Sequence, residues 1–109
     1  MSRVDMGAYV EVDVAELHGD DDPNKVVLDV REPMETAHGT VAGSLCVPLG
    51  RLDEAIAQIA DDANLYVVCR SGSRSAYAAE VLAGAGKHDV KYVAGGLIAW
   101  VSKGYPLAR

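Results

Sequence analysis

Apolar positions along the chain fall into short runs with two different periods. Residues 26–30 (Val-Val-Leu-Asp-Val) and 65–68 (Leu-Tyr-Val-Val) are continuous apolar stretches of strand length, the pattern of strands covered on both faces. Shorter β-branched runs at 9–12, 44–48 and 90–93 predict three further strands, the second stopped by Pro48. The segments between them have helical spacing. Over 51–60, Leu52, Ala55, Ile56 and Ile59 recur at i, i+3, i+4 and i+7, an amphipathic helix. Residues 74–85 are apolar nearly all round, with Glu80 the main exception, which predicts a largely buried helix. Asp13 caps a helical turn through Ala15, Leu17 and His18, and Pro33 suits the first position of a short helix. A closing helix over 97–103 follows the Gly95-Gly96 turn, with Gly104 as its stop and Pro106 just beyond. Strand and helix alternate with no repeat or linker, so the pattern predicts one domain over 1–109 of the α/β class, a mainly parallel sheet between helical layers. In such folds ligands gather where strand C-termini feed helix N-termini.

Composition narrows the function classes. Half of the 109 residues are apolar and 24% are charged, as in soluble globular proteins. No apolar run approaches the roughly 18 residues that cross a bilayer, and the first residues lack a secretory pattern. The expectation is a cytoplasmic protein without membrane partners. Net charge is −6, with acids concentrated at 20–22 and 61–62, which read as solvated turns. That balance disfavours nucleic acid, so any anion site is local, built from a few arginines and backbone amides. Cys46 and Cys69 are the two cysteines. Neither a disulfide nor a zinc site is expected: no Cys-x-x-Cys pair exists, and His18, His38 and His88 are scattered. Nothing in the chain names a partner protein, and a monomer or weak homodimer is expected.

The segment Cys69-Arg70-Ser71-Gly72-Ser73-Arg74-Ser75 carries the chemistry. A cysteine follows a buried strand, a tight loop of glycine and small hydroxyls comes next, and a helix begins. That order lets several backbone N–H groups converge on one spot, an anion-binding nest at the positive end of a helix. Gly72 tolerates a positive φ, and Arg70 and Arg74 add full charges. An ordinary cysteine with a pKa near 8.5 is only a few per cent ionised at neutral pH, and about two units of lowering require roughly 2.7 kcal/mol. A nest, a helix terminus and two arginines are of that order, which makes Cys69 a nucleophile candidate without a histidine base. A lone cysteine at a strand end is usually packing filler, but two arginines and a glycine around a thiol are hard to justify by packing.

These residues resemble the active-site loop of rhodanese domains, commonly C-R-x-G-x-R-S, and the resemblance covers nearly the whole chain. Leu28-Asp29-Val30-Arg31-Glu32-Pro33 is similar to the family's L-D-V-R-x-P/E segment. Residues 39–44 with Val47-Pro48-Leu49 are similar to its G-H-I-P-G-A…I-P-L stretch. Gly95-Gly96-Leu97-Ile98-Ala99-Trp100 with Gly104-Tyr105-Pro106 is similar to its G-G-x-x-A-W…G-x-P. The resemblance implies a three-layer fold with a five-stranded parallel sheet. It also implies a sulfurtransferase that takes sulfane sulfur from a small anionic donor such as thiosulfate onto Cys69 and passes it to a thiol or protein acceptor. It further implies that the loop through Ser71, Gly72, Ser73 and Ser75 holds the persulfide, that Arg70 and Arg74 help hold the donor, and that no metal or organic cofactor takes part. The chain departs from the pattern at Thr40, Ala42 and Cys46, where the family often has histidine, proline and asparagine.

Other residues carry two readings. Asp29 and Arg31 end a strand on the same side of the sheet as Cys69; they border the pocket or form a bracing ion pair, and the second reading is favoured. Trp100 reads as a core anchor, Cys46 as a buried structural thiol and the histidines as surface or capping residues. Three rival functions stay open. One is a cysteine phosphatase, although its C-x-x-x-x-x-R loop would need arginine at Ser75. Another is a binding module, which typically lacks the cysteine. The third is a persulfide carrier dedicated to one partner.

Overall fold

The computed structural model describes residues 3–109. Its strands are β1 (Val4–Asp5), β2 (Val10–Val12), β3 (Lys25–Asp29), β4 (Leu45–Cys46), β5 (Asn64–Val68) and β6 (Asp89–Val93). Its helices are α1 (Val14–Gly19), α2 (Pro33–Thr36), α3 (Leu52–Gln58), α4 (Ser73–Gly84) and α5 (Gly96–Ser102). They form one sheet in the order β1-β2-β6-β5-β3-β4, parallel except for the β1–β2 pair. The α/β class is therefore borne out. The sixth strand is the difference: β1 is a two-residue antiparallel edge, too short to leave a periodic signal.

Alternation along the strands sorts the core into two layers. Leu65, Val67 and Cys69 face α3 and α4 with Leu52, Ala55, Ala78, Ala79 and Leu82. Tyr66 and Val68 face the opposite side with Val14, Leu17, Leu97 and Trp100 from α1 and α5. Both faces of the central strands are thus covered, which is why they read as unbroken apolar runs. Helix α4 is more open than its composition predicts. Only Ser75, Ala78, Ala79 and Leu82 are buried, and Tyr77 is 59% exposed, because alanines on its outer face carry no packing demand. The strand expected over 44–48 shortens to Leu45–Cys46.

Two further expectations are corrected here. Cys46 is exposed, since β4 is the edge of the sheet, with only β3 beside it. Asp20 is not a solvated turn residue. Its carboxylate accepts hydrogen bonds from Tyr66 Oη at 2.6 Å and Asn64 Nδ2 at 2.9 Å, tying the α1–β3 loop to β5. Asp61 stays exposed in its turn, as expected, and pairs with the buried Lys87, whose Nζ also donates to the carbonyls of Ile56 and Ile59 at the end of α3.

The topology picks out one crevice. The chain leaves β3 towards β4 on one side and leaves β5 towards β6 on the other, so the winding direction reverses between β3 and β5. Clefts open at the carboxyl ends of strands at such a switch point. Asp29 ends one of these strands and Cys69 directly follows the other, with Asp29 in register with Val68.

Candidate active site

The loop from Cys69 to Gly72 joins β5 to α4. Gly72 takes φ +113°, and a Cβ there would sit 3.3 Å from the backbone nitrogen of Gly95, so glycine lets the chain turn tightly beneath the following loop. The carbonyls of Cys69 and Arg70 accept from the backbone N–H groups of Leu97 (2.9 Å) and Ile98 (3.0 Å) in the first turn of α5. These donors have no acceptor within their own helix. With the carbonyls held outward, loop amides turn to the sulfur. Cys69 Sγ accepts N–H from Gly72 at 3.1 Å and from Ser75 at 3.3 Å. The Ser75 hydroxyl lies 3.4 Å away, accepting from the thiol while its own proton goes to the Gly72 carbonyl at 3.0 Å; rotated towards the sulfur, that one proton can instead serve the thiolate.

Cys69 is only 1% exposed. Burial pushes its pKa up, but hydrogen bonds from the Ser75 hydroxyl and from the amides of Ser75, Gly72 and Ser71 outweigh it, and the net direction is below the ordinary thiol value. Cys46 moves the other way: though exposed, it is partly screened from water on its edge strand, and that screening, followed by the nearby Asp29 carboxylate, pushes its thiol up. The two cysteines therefore differ in kind. Strand spacing of about 4.8 Å across the intervening β3 also keeps Cys46 beyond the roughly 7 Å Cα limit of a disulfide with Cys69.

The three arginines near the loop have different partners. Arg31 is 8% exposed and grips the fully buried Asp29, with Nη2 to Oδ2 at 2.8 Å, and it also donates to the Gly39 carbonyl at 2.7 Å. Thr40 completes the bracing by donating its hydroxyl to Asp29 Oδ2 at 2.7 Å. Arg74 makes a two-point pair with Glu35 of α2, at 2.7 and 2.9 Å. Arg70 is exposed and forms no ion pair among the described residues. A cavity of about 470 Å³ opens beside the loop, with Arg31, Glu35, His38 and Arg70 on its polar side. Leu97, Ile98 and Val101 of α5 form its apolar wall.

The structure thus brings Cys69, Gly72 and Ser75 together at the sulfur and places Arg70 and Arg31 at the cavity. Ser71 is exposed on the loop and Ser73 at the first position of α4, while Asp29 is sealed beneath Arg31 and does not border the cavity. Three contributors were not legible in the sequence pattern: Glu35, Thr40 and the first-turn amides of α5. Glu35 had a partial signal, because Glu32-Pro33-Met34-Glu35 reads as a capping box, and Glu35 indeed accepts the Glu32 amide at 3.0 Å.

Ionised carboxylates fix the pH range of stability. Glu35 is lowered from 4.5 to about 2, chiefly by Arg74, and Asp20 from 3.8 to about 2, chiefly by Tyr66. Folded values below the unfolded ones contribute stability that is full above about pH 4.5 and is lost as pH falls towards 2. Urea midpoints should accordingly drop between pH 5 and about 2.5. The combined Glu35→Gln and Asp20→Asn variant, less stable at pH 6, should converge on wild type over that interval; a constant gap would contradict the assignment.

Comparison with known proteins agrees with this architecture. The model of the rhodanese-like domain matches residues 12–103. The chain belongs to the rhodanese-like domain family. It is 32% identical to a sulfurtransferase of Allochromatium vinosum over 80% of this chain and 81% of that protein. It is 34% identical to thiosulfate sulfurtransferase 16, chloroplastic, of Arabidopsis thaliana over 72% of this chain and 76% of that one. Among solved structures, a rhodanese-related protein from Thermoplasma volcanium superposes with a TM-score of 0.82 at 35% identity, over 90% of this chain and 96% of the other. As a rhodanese-like domain, the chain has its thiol loop, Gly95-Gly96 and Trp100 all inside the matched span.

Proposed function

We propose that this rhodanese-like chain is a sulfurtransferase that carries sulfane sulfur as a persulfide on Cys69. The observation that carries the reading is the buried Cys69 sulfur receiving the Gly72 and Ser75 amides at 3.1 and 3.3 Å. A ring of short, fixed N–H donors suits a thiolate and, one bond further out, a terminal persulfide sulfur. The amides of Ser73 and Arg74, at the start of α4, lack acceptors within their own helix and suit that outer atom.

The step balances without a cofactor. The Cys69 thiolate attacks the outer sulfur of thiosulfate, an S–S bond forms, the S–S bond of the donor breaks, and sulfite leaves with the electron pair. A thiophilic acceptor then takes the outer sulfur and returns the thiolate. Arg70, without an ion pair among the described residues, faces the donor, and the Ser75 amide holds negative charge on sulfur in both states. The names of the relatives from Allochromatium vinosum and Arabidopsis thaliana support sulfur transfer as the reaction class.

A burst assay tests the reading. Mixed with excess thiosulfate and no acceptor, the protein should release about one equivalent of sulfite per chain, then stop until cyanide is added. Absence of a burst with thiosulfate and with other sulfane donors would sink it. Alkylation by iodoacetamide separates the two thiols. Cys69 should react with an apparent pKa below the ordinary thiol value and Cys46 with one above it. Ser75→Ala should raise the Cys69 value and slow sulfur loading by about tenfold, because one donor to the thiolate is lost.

A further inference from the structure

Past α5 the chain is tied back onto the fold. Tyr105 stacks on His18 of α1 with ring centroids 3.8 Å apart, and Trp100 Nε1 donates to the Pro106 carbonyl at 2.8 Å. Ala108 then forms a short antiparallel bridge with Thr40. The Thr40 N–H donates to the Ala108 carbonyl at 2.9 Å, and the Ala108 N–H donates to the Thr40 carbonyl at 2.8 Å. Leu107 lies so close that a Cβ on Gly39 would come within 3.1 Å of its own Cβ. Residues 105–108 thus run as a strap from the α1–α5 layer to the loop between α2 and β4. What they hold there is the anchorage of Arg31. The Gly39 carbonyl accepts Arg31 Nη2 at 2.7 Å. Thr40 Oγ1 donates at 2.7 Å to Asp29 Oδ2, the oxygen that also receives Arg31 Nη2 at 2.8 Å. Nε and Nη2 of Arg31 are therefore engaged inside the fold, while Nη1 has no hydrogen bond among the described residues. A planar guanidinium pinned along one edge presents its remaining nitrogen in one direction, here towards an occupant of the cavity that Arg31 lines with Arg70.

We propose that Thr40 is a positioning residue for Arg31 and that the carboxyl-terminal strap, through the Ala108–Thr40 bridge, sets it. Thr40 departs from the residue the family often has at this place, and its hydroxyl and backbone join two supports that no other residue links. The hydroxyl orients the Asp29 carboxylate that grips Arg31, and both backbone polar groups go to Ala108. Loosening the bridge frees residues 39 and 40 together, and with them the Gly39 carbonyl and the Thr40 hydroxyl that fix the guanidinium. The kinetic consequence rests on the sulfur-transfer reading, since it is uptake of the donor that a wandering Arg31 weakens. The coupling itself is readable at Arg31 directly.

The test uses wild type, Thr40→Val, Thr40→Ser and Ala108→Pro. Valine removes the hydroxyl, serine keeps it, and proline at 108 removes the N–H that the Thr40 carbonyl accepts without moving a charge. The first readout is exchange of the Arg31 Nε–H with water by NMR, its resonance assigned by its loss in Arg31→Lys. Exchange should quicken about tenfold in Thr40→Val and Ala108→Pro, and Thr40→Ser should keep most of the wild-type protection. The second readout is sulfite release on loading from thiosulfate. The half-saturating donor concentration should rise about threefold to fivefold in Thr40→Val and Ala108→Pro, with the maximal loading rate kept and Thr40→Ser close to wild type. In an Arg31→Lys background Thr40→Val should add nothing further, because the two act as one unit. A purely structural bridge would instead lower the thermal melt and leave half-saturation unmoved. Unchanged exchange at Arg31, unchanged half-saturation, or a full additional effect in the Arg31→Lys background each overturns the proposal and leaves sulfur transfer standing. A wild type that loads from no sulfane donor sinks the sulfur-transfer reading and the donor-uptake role with it.

Discussion

Cys69→Ser should abolish sulfur transfer, with turnover from any sulfane donor falling at least about a thousandfold. Serine fits the same space, and its oxygen can accept the Gly72 and Ser75 amides, so the fold survives; but a hydroxyl in that nest is not ionised near neutral pH and forms no persulfide. The nest lowers an already acidic thiol, and it has far too little to offer an alcohol. Cys46→Ser should keep wild-type turnover, since Cys46 lies on the exposed edge strand, two strands from β5. Thiocyanate formation, measured beside a thermal melt, separates loss of chemistry from loss of fold. Substantial turnover in Cys69→Ser would contradict the assignment of the nucleophile.

The second large effect lies outside the thiol loop. Gly96 has φ +55°, and a Cβ there would come within 2.5 Å of the Cys69 carbonyl oxygen and 2.6 Å of that of Arg70. Those are the carbonyls that Leu97 and Ile98 hold away from the sulfur. Gly96→Ala must therefore push α5 off the loop, loosening the restraint that aims the loop amides inward. The expected cost is about 2 kcal/mol or more of stability, from backbone strain and a displaced interface, and roughly a hundredfold in sulfur loading. Gly86→Ala is the control. Its φ is +101°, but a Cβ there meets nothing within 4 Å, so it should cost about 1 kcal/mol and leave loading unchanged. If Gly96→Ala loads sulfur at the wild-type rate, the α5 amides do not organise the site.

The thiol loop was legible because its parts are contiguous. Strand, cysteine, glycine and helix start follow one another in the sequence, so the amides that reach the sulfur lie within six residues of it. The central strands β3 and β5 were legible for a related reason, since burial on both faces leaves an unbroken apolar run. Elements that depend on remote partners were not. Glu35 meets Arg74 across 39 positions and Asp20 meets Tyr66 across 46, and no period or motif reports such pairs. Cys46 misled because a cysteine between Leu45 and Val47 has the pattern of a covered strand, whereas its exposure depends on which strand ends the sheet. Thr40 is the instructive departure from the family pattern: its hydroxyl closes the Asp29–Arg31 pair, a bracing role visible only once residue 40 lies beside β3. Asp29 and Arg31 then divide the two readings between them, one sealed in the brace and the other reaching the cavity.

The central claim is that sulfur resides on Cys69, and peptide mapping by mass spectrometry after a single exposure to a sulfane donor tests it most directly. The account predicts a gain of about 32 Da confined to the peptide containing Cys69, removed by cyanide, with Cys46 unmodified. A persulfide on Cys46, or an unmodified Cys69 after exposure to both thiosulfate and an organic thiosulfonate, would contradict it.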